Sequence, residues 1–289
     1  MRWTPGGRSD DLEDLRGRGG RGPMLGGGGL RIGAGGAILL LVLSLATGQN
    51  LFDLLGGVVD VGGPGGGGQS APYEATPEEE KLVDFVSFVL DDVQNTWTQT
   101  FPVAARDYRK TRLVLFTDNV SSGCGYAQAA MGPFYCPADE KVYIDLGFYR
   151  ELRSRFGAPG DFAQAYVIAH EIGHHVQNVL GLSERVRELQ QRRPDQANQL
   201  SVLLELQADC FAGVWAHTTQ RRDILERGDV EEGIGAAAAV GDDRIQKSAG
   251  ASVNPETWTH GSSQQRVEWF QRGMQKGTVA DCNTFAAAQ

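Results

Sequence analysis

The 289-residue chain reads as an α+β protein, a small sheet packed on a helical bundle, preceded by one apolar segment with the composition of a membrane-spanning helix. Three observations carry that expectation. Beyond residue 160 the apolar residues recur at helical spacing. Residues 112–117 and 141–146 are rich in β-branched and aromatic side chains, as strands are. Residues 32–48 contain no charge and centre on a run of Leu, Ile, Val and Ala.

The elements follow in order. Residues 1–31 are rich in Gly and Arg with few apolar side chains, and are expected to be a disordered leader. The uncharged stretch from 32 to 48 is at the short end of what spans a bilayer, for which about 17–25 residues are needed. It could be a signal anchor, a cleaved signal or a buried core helix. It is apolar all round and flanked by glycine, which disfavours a core helix. The polar leader before it disfavours a cleaved signal, although Ser44-x-Ala46 is a passable cleavage site. An uncleaved transmembrane anchor over 32–50 is the preferred reading. Six arginines against four acids give the leader +2, which leaves −11 for the rest of a chain of net charge −9. The positive-inside rule then puts the leader in the cytoplasm and the remainder on the extracytoplasmic side of the cell membrane. Residues 51–75 read as a Gly-rich linker.

The folded domain is expected over 76–289. Thr76-Pro77-Glu78-Glu79 has an N-cap Thr, Pro at N1 and an acid at N3. Leu82, Val86, Val89, Val93 and Trp97 continue it as a helix to about 98. The two β-prone runs come next, separated by a loop bearing Cys124 and Cys136. A helix to about 180, which Gly181 would stop, is followed by helices near 183–192, 195–219, 229–248 and 262–275.

The chemistry is concentrated in His170-Glu171-x-x-His174, set in an apolar helix. Residues four apart share a helix face, so both imidazoles can reach one Zn²⁺. Such a metal lowers the pKa of water towards about 7, and Glu171, beside the first ligand, could take the proton. A third ligand is needed. The metzincin continuation fails, because its Gly and His positions hold Gln177 and Leu180. Glu205 and Asp209 stand four apart on a later apolar helix. Buried carboxylates require a cation or donor; Glu205 would bind the metal and Asp209 would hold the second nitrogen of a ligating His. The opposing reading leaves both acids in solvent on an amphipathic helix.

His170-Glu171-x-x-His174 followed by Glu205-x-x-x-Asp209 resembles the gluzincins, the thermolysin-like zincin metallopeptidases. More closely, the chain resembles the bacterial putative neutral zinc metallopeptidases. The matching pieces are Phe134–Pro137, Val142–Asp145, Ala169–Gln177, Glu205–Trp215 and Thr259–Val267, and they place the resemblance over roughly residues 75–289. It implies a zinc-dependent peptidase acting on peptide or protein substrates, with ligands His170, His174 and Glu205 and general base Glu171. In gluzincins a strand beside the metal helix binds substrate by strand addition, and residues 142–146 are the candidate for that edge. His260, in the last matching piece, is the candidate oxyanion donor, with Tyr143 and Tyr135 as alternatives. It could instead only cap the following helix. His175 points about 100° away from the ligand face and reads as a packing residue, as does His217.

Four cysteines allow three pairings. Cys124–Cys136 with Cys210–Cys282 is the pairing preferred here, and four reduced thiols remain the alternative. The acidic domain has no basic cluster to neutralise phosphates, which argues against nucleic acid. The rival function is a zinc-stabilised binding or chaperone-like module with vestigial catalysis.

Overall fold

Side-chain alternation along two short strands sets the layout. The computed structural model describes residues 1–17, 73–101, 107–154, 157–158 and 160–287. In β2 (Arg112–Phe116) and β6 (Lys141–Asp145), Leu113, Leu115, Val142 and Ile144 face the main core, while Val114, Phe116 and Tyr143 enter a second, smaller cluster. Apolar side chains on both faces mark strands covered on both sides. Residues 12–14 form β1 (Leu12–Asp14), Asn119–Ser122 and Gly125–Gln128 form the antiparallel hairpin β3–β4, and Phe134–Cys136 forms β5. The main sheet has the order β1-β2-β6-β5, with β1, β2 and β6 parallel and β5 antiparallel to β6.

Helices supply the rest. The first, α1 (Pro77–Thr100), starts with the expected capping box between Thr76 and Glu79. It buries Val86, Val89, Val93 and Trp97, each worth roughly 1.5–3 kcal/mol relative to exposure. After α2 (Gly147–Ser154) comes α3 (Asp161–Val179), which carries His170 and His174 and is buried along nearly its whole length. Gly181, at φ +75°, takes the left-handed conformation that ends it. Then follow α4 (Leu182–Arg192), α5 (Ala197–Arg221), α6 (Asp229–Ala239), α7 (Asp242–Ser248) and α8 (Ser263–Lys276). Helix α3 packs on α1, α5 and α6, and α8 packs on α5. The result is mixed α+β and mostly helical.

The structure corrects the sequence reading in three places. Residues 1–17 are not a disordered leader. Leu12, Glu13 and Asp14 pair with Leu113, Val114 and Leu115, Met1 is buried, and Arg16 bridges Asp14 and Glu80. They form one body with the residues from Glu74 onward. The proposed anchor over 32–50 and most of the 51–75 linker lie outside the described residues, among which no helix is long and apolar enough to cross a membrane. Second, residues 142–146 are not an edge, because β6 is paired on both sides; β5 is the outer strand on that side of the sheet. Third, residues 229–248 form two helices. The chain breaks at Gly241, where a Cβ would collide with the backbone of Ser263.

Both disulfides of the preferred pairing are present, Cys124–Cys136 and Cys210–Cys282.

Candidate metal centre

Two helices bring the histidines and the glutamate together because their backbones come unusually close. A Cβ on Gly173 would lie 3.0 Å from the carbonyl oxygen of Ala208, so α3 and α5 cross in tight contact at this glycine. His174 adjoins that crossing on one helix and Glu205 lies one turn before it on the other. His170 Nε2 is 3.3 Å from Glu205 Oε2, and His174 Nε2 is 3.4 Å from Glu205 Oε1. The ligand atoms of the three residues all lie within 4.8 Å of one another.

Each imidazole is held from behind. His170 Nδ1 lies 2.9 Å from Asp209 Oδ1, and His174 Nδ1 lies 2.9 Å from Gln177 Oε1. Acceptors at both Nδ1 atoms fix a proton there and turn both Nε2 atoms towards Glu205. Two such imidazoles and one carboxylate are the donor set of a catalytic zinc site, which keeps its fourth position open.

Asp209 is completely buried and has further partners. Arg266, on α8 and 3% exposed, donates to it through Nε at 2.8 Å and Nη2 at 2.9 Å, and the Tyr166 hydroxyl donates to its Oδ1. The α5–α8 approach that permits this is again set by glycine: a Cβ on Gly273 would overlap the Cys210 carbonyl. Burial alone would raise the Asp209 carboxyl, but Arg266 and His170 outweigh it and hold it below the usual range. Burial likewise works against the His170 cation, yet the Asp209 charge and hydrogen bond, with Glu205, raise its pKa to about 10. Glu205 is pushed up by burial and pulled well below its usual value by His174 and His170. This centre therefore attracts a cation, whether proton or metal. Glu171 differs: burial is the largest influence and leaves its pKa raised, against the pull of both histidines.

His260 sits on the loop between α7 and α8, with its side chain 47% exposed. Asp242 Oδ2 accepts from the backbone N–H groups of Thr259, His260 and Gly261, and Asp242 Oδ1 lies 3.1 Å from His260 Nδ1. Packing at Gly261 puts this loop against Val202 and Leu206, on either side of Glu205 in α5. Burial opposes the His260 cation, but Asp242 and Glu205 outweigh it and raise its pKa. The alternative tyrosines are engaged elsewhere: Tyr143 donates to Asp139 and Tyr135 meets His175 Nδ1 at 3.0 Å. His175 is fully buried and also meets the Arg109 carbonyl, so it joins α3 to β5 and to the segment before β2. His217 faces the Met274 carbonyl. Both are packing residues.

Sequence reasoning missed Arg266, Tyr166, Gln177 and Asp242 as parts of the site. Helical spacing offered a signal for two of them, since Tyr166 stands four residues before His170 and Gln177 three after His174.

The family model described as "Putative neutral zinc metallopeptidase" matches residues 1–285, β1 included. The uncharacterized protein YpfJ of Escherichia coli (strain K12) is 47% identical over 287 residues, covering 99% of each chain. The uncharacterized proteins Mb2605 of Mycobacterium bovis and Rv2575 of Mycobacterium tuberculosis (strain H37Rv) are each 43% identical over 209 residues, covering 68% of this chain and 69% of theirs. No solved structure matches the chain. The extent of the family match and the identity to these relatives place this chain in the putative neutral zinc metallopeptidase family.

Proposed function

We propose that this protein is a zinc-dependent peptidase of gluzincin type, with His170, His174 and Glu205 as metal ligands and Glu171 as general base. The observation that carries the reading is the convergence of two imidazole Nε2 atoms on the two oxygens of Glu205, with each Nδ1 already held by an acceptor. Zinc, when bound, supplies a Lewis acid that polarises the scissile carbonyl and acidifies water.

The chain's own residues do the rest. Glu171 accepts the proton of the attacking water and returns it to the leaving amine, a role suited to a carboxylate whose pKa burial has raised. Asp209 keeps the His170 imidazole in the orientation that presents Nε2. His260, held by Asp242, donates to the developing oxyanion. A peptide adds to β5, the outer strand, which α3 adjoins through the Tyr135–His175 contact. Two disulfides favour an oxidising compartment outside the cytoplasm. That placement rests on the cysteines and not on a membrane span.

The test is digestion of a peptide library by the zinc-loaded full chain, with a chelator control and a Glu205→Ala variant. Cleavage that is lost with chelator and restored by zinc supports the reading. A Glu205→Ala variant that binds zinc as tightly as wild type removes the third ligand from it.

A further inference from the structure

His174 is the start of a buried relay of amides that ends on the disulfide-tied C-terminal tail. Its Nδ1 lies 2.9 Å from Gln177 Oε1. Gln177 Nε2 donates to the Leu204 carbonyl at 2.7 Å and to Gln207 Oε1 at 3.2 Å. Gln207 Nε2 donates to the Cys282 carbonyl at 2.9 Å. Gln177, Gln207 and Cys282 are all buried. Cys282 is fixed to Cys210 on α5 by the disulfide, and Thr284 Oγ1 adds a 2.7 Å bond to the Leu203 carbonyl.

The direction of this relay is forced. A backbone carbonyl can only accept, so Cys282 requires the amide nitrogen of Gln207, and the Gln207 oxygen must then face Gln177. The Leu204 carbonyl imposes the same orientation on Gln177 independently. The Gln177 oxygen is therefore left for His174, which must donate from Nδ1. The reverse arrangement would set amide oxygens against carbonyl oxygens in a dry interior. The other ligand histidine uses a different device, the Asp209 carboxylate, so the two imidazoles have separate supports.

We propose that Gln177 is the positioning residue for His174, and that Gln207 and the Cys282 carbonyl set its polarity, so that the C-terminal tail helps determine metal affinity. This rests on the reading of His174 as a ligand. Both glutamines are buried away from solvent. Their effect appears in the metal site itself, in zinc affinity and in the visible absorption of a Co²⁺ substitute.

The experiment measures zinc affinity of the full chain by competition with a chromophoric chelator, and the Co²⁺ spectrum, for Gln177→Leu, Gln207→Leu, the double variant and His174→Ala. Removing a group that orients a ligand typically costs about 10–100-fold in metal affinity. Gln177→Leu is expected to lose that much and to shift the Co²⁺ bands. Gln207→Leu is expected to lose less, and to add under about twofold once Gln177 is gone, because both act through one chain. Gln177→Leu within about twofold of wild type overturns the relay, and so do losses that simply multiply. If Gln177→Leu does not fold, Gln207→Leu decides alone: an altered affinity and Co²⁺ spectrum support the relay, and unchanged ones overturn it. His174→Ala separates the two ideas. Zinc binding lost there but intact in both glutamine variants removes only the relay, whereas binding intact in His174→Ala removes the ligand assignment too.

Discussion

Gly173 packs against Ala208 so closely that a Cβ on the glycine would lie 3.0 Å from the Ala208 carbonyl oxygen. This contact sets the distance between the helix that bears His170 and His174 and the helix that bears Glu205. Gly173→Ala gains about 1 kcal/mol of helix propensity and costs about 1–3 kcal/mol through overpacking. The nearest atoms are backbone, which yields less readily than a side chain, so overpacking is expected to prevail and to strain the ligand triangle. The variant is expected to keep its helical circular dichroism, to unfold at a lower denaturant midpoint and to bind zinc more weakly. Unchanged zinc affinity would show that the crossing does not set the site.

Asp209 and Arg266 form a buried ion pair behind His170. Asp209→Ala leaves the buried guanidinium with Glu205, 3.8 Å away, in place of its closest carboxylate, and breaking a buried pair in this way typically costs about 3–5 kcal/mol. Asp209→Asn keeps the shape while weakening the hold on His170, and is expected to lower zinc affinity by about 10–100-fold. Chelator competition on the folded protein checks this. Wild-type affinity in Asp209→Asn would mean that His170 needs no support from behind.

Asp14 tests whether the N-terminal strand belongs to the fold. Burial would raise its carboxyl, but hydrogen bonds from Arg16 and Arg8 prevail and lower its pKa from 3.8 to about 2. A depressed carboxylate contributes stability that is complete above the unfolded pKa and is lost as pH falls through the folded one. Wild type should therefore lose more stability than Asp14→Asn between about pH 4 and pH 2. Denaturant titrations at several pH values measure it, and parallel curves would contradict it. Hydrogen exchange at Leu113–Leu115 should quicken together with that at Leu12–Asp14, because the strands share a ladder.

The disulfides differ in the chain they close. Cys124–Cys136 spans 12 residues and Cys210–Cys282 spans 72. Chain entropy assigns about 3 kcal/mol to the short loop and about 4.5 kcal/mol to the long one. The Cys210→Ser/Cys282→Ser pair should therefore destabilise more than the Cys124→Ser/Cys136→Ser pair in equilibrium unfolding. Non-reducing mass mapping of protein from cells should find both bridges. Free thiols there would remove the argument for an oxidising compartment.

Legibility in the sequence followed locality. The start of α1 could be read because Thr76 and Glu79 satisfy each other within four residues. The ligand pair could be read because helical spacing alone puts His170 and His174 on one face. Strand β1 could not: it is three residues long, two of them acidic, and its pairing with Leu113–Leu115 is a contact across the whole intervening chain. The β-rich composition of residues 142–146 reports a strand and not the number of its neighbours, so the edge expected there from the gluzincin resemblance falls on β5 instead. Arg266 and Gln207 join the site through α8 and the C-terminal tail, which no local pattern links to His170 or His174.

Glu171→Gln separates binding from chemistry. Zinc content and peptide cleavage are measured on the same preparations of the full chain, wild type and variant. A peptidase in which Glu171 moves the proton keeps about one zinc per chain in the variant and loses about 10²–10⁴-fold in cleavage rate. A variant that cleaves at the wild-type rate, or a wild type that holds zinc and cleaves nothing, would contradict that function.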